Sequence, residues 1–462
     1  MSLGGQQQPN ITVSNTAELE RVAKTRKNLD VAEEYKKLKT KENANFVVIG
    51  HVDAGKSTLM GRLLYDLGVV DERTLKKYKQ EAEKIGKSSF AFAWVLDQTS
   101  EERSRGVTID IASNKFETEN CSYTILDAPG HKDFIPNMIA GASQADFAVL
   151  VIDSTTGEFE TGFNFRGQTK EHTLLVRSMG VQRIIVAVNK LDNANWSSAR
   201  FEEITAQIGQ FLTTAGFNPK NVSFVPCSGL TGANVTKKPK EGLIPWYTGG
   251  TLVDELEKTK PSKRAIEKPF RLTVADVFRG GVMHPVSVAG RVDAGSVQVG
   301  DILVDMPTGE RAAVKAIEVD DEQRDWAIAG HNAVLHLAGI EIDHIRQGDI
   351  LCDPTHPIPA VSSFNMKILA FESITPMMVD IHRGRLNTAG RVAKMIAVYD
   401  KATGTVTKKK PRHILAGGLA SITVQVDNGP GVIGGGTIPV EVGTRIVLRA
   451  FGQTVAAGLV EA

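Results

Sequence analysis

The stretch Gly50-His51-Val52-Asp53-Ala54-Gly55-Lys56-Ser57 constrains this chain more than any other. Its G-x-x-x-x-G-K-S spacing falls between a buried-strand candidate, Asn45 to Ile49, and a helix expected from Thr58 to Asp66. A triphosphate presents only oxygens and negative charge, so it is held best by backbone N–H groups converging at a helix N-terminus. The glycines let the backbone come close. Lys56 is placed to reach the β- and γ-phosphates as a point charge, and the Ser57 hydroxyl to ligate the magnesium that bridges them. Gly50, His51, Val52, Asp53, Ala54, Gly55, Lys56, Ser57 and Thr58 are therefore the first candidate nucleotide-binding residues.

Such a loop needs a parallel sheet behind it, and the chain supplies one. Across residues 43–257, short apolar runs at Phe46 to Ile49, Tyr123 to Asp127, Phe147 to Asp153, Arg183 to Asn189 and Ser223 to Cys227 alternate with helical patterns such as Thr169 to Met179 and Ser197 to Ala215. Continuous rather than alternating apolar runs mark strands covered on both faces. The expectation is an α/β P-loop nucleotide-binding domain, doubly wound with a mainly parallel sheet, whose ligands sit at the carboxyl ends of the strands. Residues 258–269 have the Lys/Pro composition of a linker. Beyond it the pattern becomes strand and turn, as in Val292 to Val297, with a second break around Pro354, Pro357 and Pro359. Two all-β barrel domains are expected, at 270–356 and 357–462. Residues 1–42 have few large apolar groups and read as a flexible charged leader with a short helix between Ala17 and Lys39, the kind of opening left when something upstream has been removed.

Composition narrows the partners less than the motifs do. Lys and Arg total 54 against 53 Asp and Glu, so the overall charge favours no polyanion and local clusters must decide. Cys121, Cys227 and Cys352 lie far apart with no C-x-x-C, which excludes a thiolate zinc cage and fits a reducing, cytoplasmic setting. No run approaches the length of a membrane span.

Each strand end then contributes a loop with chemistry in it. Asp127-Ala128-Pro129-Gly130-His131 follows the strand ending at Leu126, where Asp127 would hold magnesium through water, the Gly130 N–H would sense a γ-phosphate, and His131 would position the attacking water. Asn189-Lys190-Leu191-Asp192 ends another strand; the Asp192 carboxylate can accept from the N1–H and 2-amino group of guanine, a pattern adenine lacks. Ser228, Gly229 and Leu230 follow the next strand and would add backbone N–H contacts to the base. Thr108, within Arg105-Gly106-Val107-Thr108-Ile109-Asp110, is placed to give its hydroxyl to magnesium when a γ-phosphate is present and to release it afterwards.

With GHVDAGKS, RGVTID, DAPGH, NKLD and SGL in this order, the chain resembles the translational GTPases typified by elongation factor Tu and its eukaryotic alpha counterpart, from about Asn43 to the C-terminus. The resemblance implies GTP/GDP and Mg2+ as cofactors, GTP hydrolysis, Val52 and Val107 flanking the catalytic His131, and a ribosome, through rRNA and ribosomal proteins, as the docking partner. Ser89 to Thr99, Lys408-Lys409-Lys410-Pro411 and Pro136 resemble the ribosome-rescue branch, which partners a Pelota-like protein. Asn195-Trp196-Ser197 resembles both that branch and the GTPase-class release factor, and Gly106 to Asp110 speaks against the latter. A release factor and an aminoacyl-tRNA carrier remain the alternatives. The resemblance implies a monomer when free and neither a membrane nor a DNA partner. Rescue GTPases carry a longer N-terminal extension than Met1 to Glu42. Phe163-Asn164-Phe165-Arg166 departs from the family's glycine-rich turn and reads as a surface insertion or a partner-contact loop, with the first favoured.

Overall fold

The structure is a computed structural model; it describes residues 16–37, 41–84, 86, 90–96, 102, 112–130, 134–163, 168–259, 264–281, 285–320, 322–401, 403–427 and 436–462. The chain divides into two compact units, Lys41–Ser262 and the remainder, Met1–Thr40 with Lys263–Ala462.

The unit Lys41–Ser262 is built on β1 (Glu42–Gly50), β2 (Ala112–Glu117), β3 (Cys121–Asp127), β4 (Phe147–Asp153), β5 (Ile184–Asn189) and β6 (Val222–Pro226). They form one sheet in the order β2-β3-β1-β4-β5-β6. Every pairing is parallel except β2 with β3. Every residue of β4 and β5 is buried, as their unbroken apolar runs require when both faces are covered. Phe46, Ile125, Phe147, Val149 and Ile185 are wholly inaccessible and form the centre of the core. β2 has no apolar run because it is a polar edge strand, with Asn114, Lys115 and Glu117 among its residues. The strand order turns back between β1 and β4, and such a switch point opens a crevice at the carboxyl ends. The loop at Gly50 lies at its mouth.

The helix Lys56–Asp66 is seated by Gly61, whose missing side chain lets the backbone of Phe92 pass close by. A Cβ at Gly61 would run into the Phe92 carbonyl. Gly61→Ala is therefore expected to destabilise the domain by about 1–3 kcal/mol, the usual cost of overpacking, seen as a lower thermal midpoint. Phe163 is no loop residue. It ends the helix Glu158–Phe163 and stacks on Phe159 with ring centroids 5.4 Å apart; Asn164, Phe165 and Arg166 lie outside the described residues.

In the other unit, the strands Ile302–Met306, Ile350–Cys352, Arg271–Phe278, Val286–Ala294, Asn332–Ala338 and Arg311–Val319 pair in that order, and the last closes on the first. The strands Met378–Arg383, Arg445–Ala450, Gln453–Val460, Ser363–Ala370, Leu419–Val426 and Leu386–Tyr399 close a second barrel in the same way. Closure removes the free edges that such short strands would otherwise expose. Leu272, Val274, Val288 and Leu335 fill the first barrel, and Met366, Ile368, Ile381 and Ile422 the second.

The leader departs from the expectation of a flexible segment. Over its described residues it forms two helices, Thr16–Ala23 and Val31–Lys37, packed on the first barrel. Leu19 and Val31 are only 7% and 5% exposed, the Leu29 N–H donates to Gln298 Oε1 at 3.0 Å, Arg26 pairs with Asp301 at 2.7 Å, and Tyr35 meets Trp326 edge-on. Too few apolar groups to fold alone are enough when a finished barrel wall supplies the other half of the interface.

Candidate nucleotide-binding site

Backbone conformation shapes the loop first. Gly55 takes a left-handed φ of 84° as the N-cap of the helix Lys56–Asp66, which side chains tolerate poorly. The Val52 N–H donates to Gln168 Oε1 at 3.2 Å, so the loop is tied to the helix Gln168–Ser178. Lys56 is 7% exposed and curls back, its Nζ donating to the carbonyls of His51 at 2.9 Å and Gly50 at 3.3 Å. An ammonium buried against neutral carbonyls gains more from an anionic oxygen, which is what a phosphate brings.

Beside it, the Ser57 hydroxyl donates to Asp127 Oδ2 at 2.7 Å. Asp127 is fully buried and its Oδ1 has no hydrogen-bond partner. Burial pushes its carboxyl up to about 6, against the opposing pull of Lys56 and Ser57. A hydroxyl and an under-satisfied carboxylate, both hard oxygen donors, fit magnesium, and the orphaned Oδ1 is the observation that says so. Gly130 is pressed against the same lysine, because a Cβ there would run into Lys56 Nζ.

At the neighbouring strand end Asn189 acts as a rivet. Its Nδ2 donates to the Ala54 carbonyl at 2.9 Å and its Oδ1 accepts the Gly229 N–H at 2.8 Å, joining the phosphate loop to the loop after β6. Lys190, in the left-handed region at φ 58°, donates to the Asp53 carbonyl at 2.6 Å and to Asp153 Oδ2 at 2.7 Å. Asp192 keeps a buried Oδ1 without a partner, an acceptor awaiting a donor. The expected base contacts from Ser228, Gly229 and Leu230 need correction. The Ser228 N–H is committed to the Ala233 carbonyl at 3.1 Å and the Gly229 N–H to Asn189. Leu230, 55% exposed, is left as the one of the three for a base.

The structure thus brings Gly50 to Thr58, Asp127, Gly130, Asn189, Lys190, Asp192 and the loop at Ser228 to one end of the sheet. Val107, Thr108 and His131 lie outside the described residues. Gln168, Asp153 and His172 were not singled out by motif; Asp153 alone carried a signal, as a carboxylate ending a buried strand. Cys121, Cys227 and Cys352 are all buried, consistent with small hydrophobes.

A mainly parallel sheet with a glycine-rich loop at its switch point, a buried lysine, a serine–aspartate pair and an aspartate with an unpaired buried oxygen is the arrangement of a P-loop GTPase. A family model described as the elongation factor Tu GTP binding domain matches residues 41–262, and one described as elongation factor Tu domain 2 matches residues 286–352. The chain belongs to the elongation factor Tu/elongation factor 1-alpha family of translational GTPases. It is 44% identical over 425 residues to Protein HBS1 of Drosophila melanogaster, covering 91% of this chain and 63% of that protein's length. To the elongation factor 1 alpha-like protein of Schizosaccharomyces pombe it is 42% identical over 439 residues, 94% of this chain and 72% of the relative, and to elongation factor 1-alpha of Ignicoccus hospitalis 41% over 432 residues, 91% and 96%. The solved Ski7 GTPase-like domain of S. cerevisiae bound to GTP shares the fold, with a TM-score of 0.77 at 18% identity, covering 94% of this chain and all of that one. Among the described residues no helix is long and apolar enough to cross a membrane.

Proposed function

We propose that this chain is a cytoplasmic timer for ribosome rescue: in its GTP form it delivers a Pelota-like, tRNA-shaped protein to a stalled ribosome, hydrolyses GTP there and leaves. The observation that carries the reading is the 44% identity to Protein HBS1 across 91% of the chain, reinforced by the nucleotide site's buried Lys56 beside the Ser57–Asp127 pair. Lys56 neutralises the β- and γ-phosphates, Asp192 reads the guanine, and Asn189 and Lys190 hold the two loops in register. Ser57 and Thr108 would hold magnesium, with Asp127 behind them, and the ion would supply positive charge to the phosphate oxygens. His131 orients the attacking water, and Val52 and Val107 flank it so that hydrolysis awaits the ribosome. The exposed strand Val406–Lys409, continued by Lys410 and Arg412, offers a local basic cluster to ribosomal RNA, so docking weakens as salt rises.

GTP turnover measured with ribosomes, with Pelota, with both, and with aminoacyl-tRNA in Pelota's place tests this reading. Strong synergy between ribosome and Pelota is expected. Stimulation by the stop-codon release factor or by aminoacyl-tRNA instead would move the protein to another branch. His131→Ala should leave GTP affinity nearly intact while stimulated turnover falls by on the order of a hundredfold; turnover at the parental rate would assign the water to another residue.

A further inference from the structure

The helix Lys56–Asp66 follows the phosphate loop, and one of its faces also carries the base loop that comes after β6. Leu59 and Arg62, one turn apart on that face, each receive a glycine. A Cβ at Gly229 would stand 2.9 Å from the Leu59 Cα. At Gly232, in the left-handed region at φ 81°, a Cβ would stand 2.4, 2.5 and 2.6 Å from Nη2, Cζ and Nε of Arg62. Such near-equal distances mean that the loop rests on the flat face of the guanidinium. That plane is itself held in place. Nε donates to Asp66 Oδ1 at 2.8 Å, and Cζ lies 5.2 Å from the centre of the Phe92 ring. From this seat Nη1 donates to the Leu230 carbonyl at 3.4 Å, while Asp66 uses Oδ2 to accept the Thr236 hydroxyl at 3.2 Å farther along the same loop.

Leu230 is the residue of this loop left for a base, and it lies between two anchors. On one side the Gly229 N–H is committed to Asn189 Oδ1 at 2.8 Å; on the other the Leu230 carbonyl is held by Arg62. The peptide joining Gly229 to Leu230 is therefore fixed at both ends, and with it the direction of the Leu230 N–H. We infer that Arg62 is a specificity-positioning residue, which aims this N–H at the O6 acceptor of guanine. It acts through Leu230, and the inference rests on reading the loop as the base loop. Base recognition then has two supports. Asp192, set by Lys190 and Asn189, accepts from N1–H and the 2-amino group. Leu230, set by Arg62 and Asp66, donates to O6. A donor fixed in this way rejects a base that offers it no acceptor, since a polar group then stays unpaired.

Two nucleotide analogues separate these supports in the full chain. IDP lacks the 2-amino group that Asp192 reads, and 6-thio-GDP carries sulfur, a weak acceptor, in place of O6. In displacement titrations the parental protein should prefer GDP over each by about tenfold, the scale of one hydrogen bond. Arg62→Ala is expected to weaken GDP about tenfold and to bring the preference over 6-thio-GDP close to one, while the preference over IDP stays at its parental value. Arg62→Lys, which keeps a cation beside Asp66 but offers Gly232 no plane, should do the same with less loss of thermal midpoint. Each preference is a ratio of affinities within one variant, so partial unfolding does not alter it. An unchanged preference over 6-thio-GDP in both variants, or a parallel fall of both preferences, would make Arg62 a packing residue and overturn the inference. A parental protein that binds GDP and 6-thio-GDP alike would instead overturn the assignment of Leu230 to the base, and this inference with it.

Discussion

Asp192→Asn is expected to convert the pocket from guanine to xanthine nucleotides, with GDP affinity falling by roughly a hundredfold to ten-thousandfold and XDP gaining in its place. The carboxylate is half-buried, and its Oδ1 is buried without a partner, so it is placed to accept a bond from each of guanine's N1–H and 2-amino groups. Hydrogen bonds to a charged group are worth about 1.5–3 kcal/mol each, and two of them give that range. An amide in the same place donates where the carboxylate accepted, which suits the 2-oxo group of xanthine. The loop should not move on substitution, because Lys190 pins it to Asp153 and the Asp53 carbonyl, and Asn189 to Ala54 and Gly229. Displacement titrations with GDP, XDP and ADP provide the measurement. A variant that still prefers GDP over XDP would show that another group reads the base.

Lys56→Ala should weaken every nucleotide alike, by on the order of a thousandfold for the triphosphate, since it removes the buried cation that faces the phosphates and its charge-assisted bonds. Burial magnifies the loss, because the phosphates enter a site where Asp127, buried and carboxylic, would then face them without the lysine between. The two substitutions separate base from phosphate. Asp192→Asn should bind XDP well, and Lys56→Ala should bind neither XDP nor GDP. Equal GTP affinity in Lys56→Ala and the parental chain would contradict the assignment of the loop.

What was readable from the residues alone is what local chemistry determines. The phosphate loop, the Asp127, Asn189 and Ser228 loops and the buried strands β1, β3, β4 and β5 could be placed within a few residues, because a parallel strand buried on both faces must be continuously apolar and must end in a loop facing the ligand. The polar β2 could not, since an edge strand satisfies its exposed side with water and leaves no apolar signature. The barrels were legible as strand and turn, but the pairing of Ile302–Met306 with Arg311–Val319 that closes the first is a register between strands, invisible to periodicity. The leader's docking was hidden for a related reason: Leu29, Arg26 and Tyr35 find their partners Gln298, Asp301 and Trp326 hundreds of residues away. The same holds at the site, where a motif names the residues that meet the ligand but not those they spend their bonds on. Only the tertiary structure commits the Gly229 N–H to Asn189 and sets Gln168 and His172 under the phosphate loop, because a hydrogen bond depends on where two groups meet in space, which their separation along the chain does not specify.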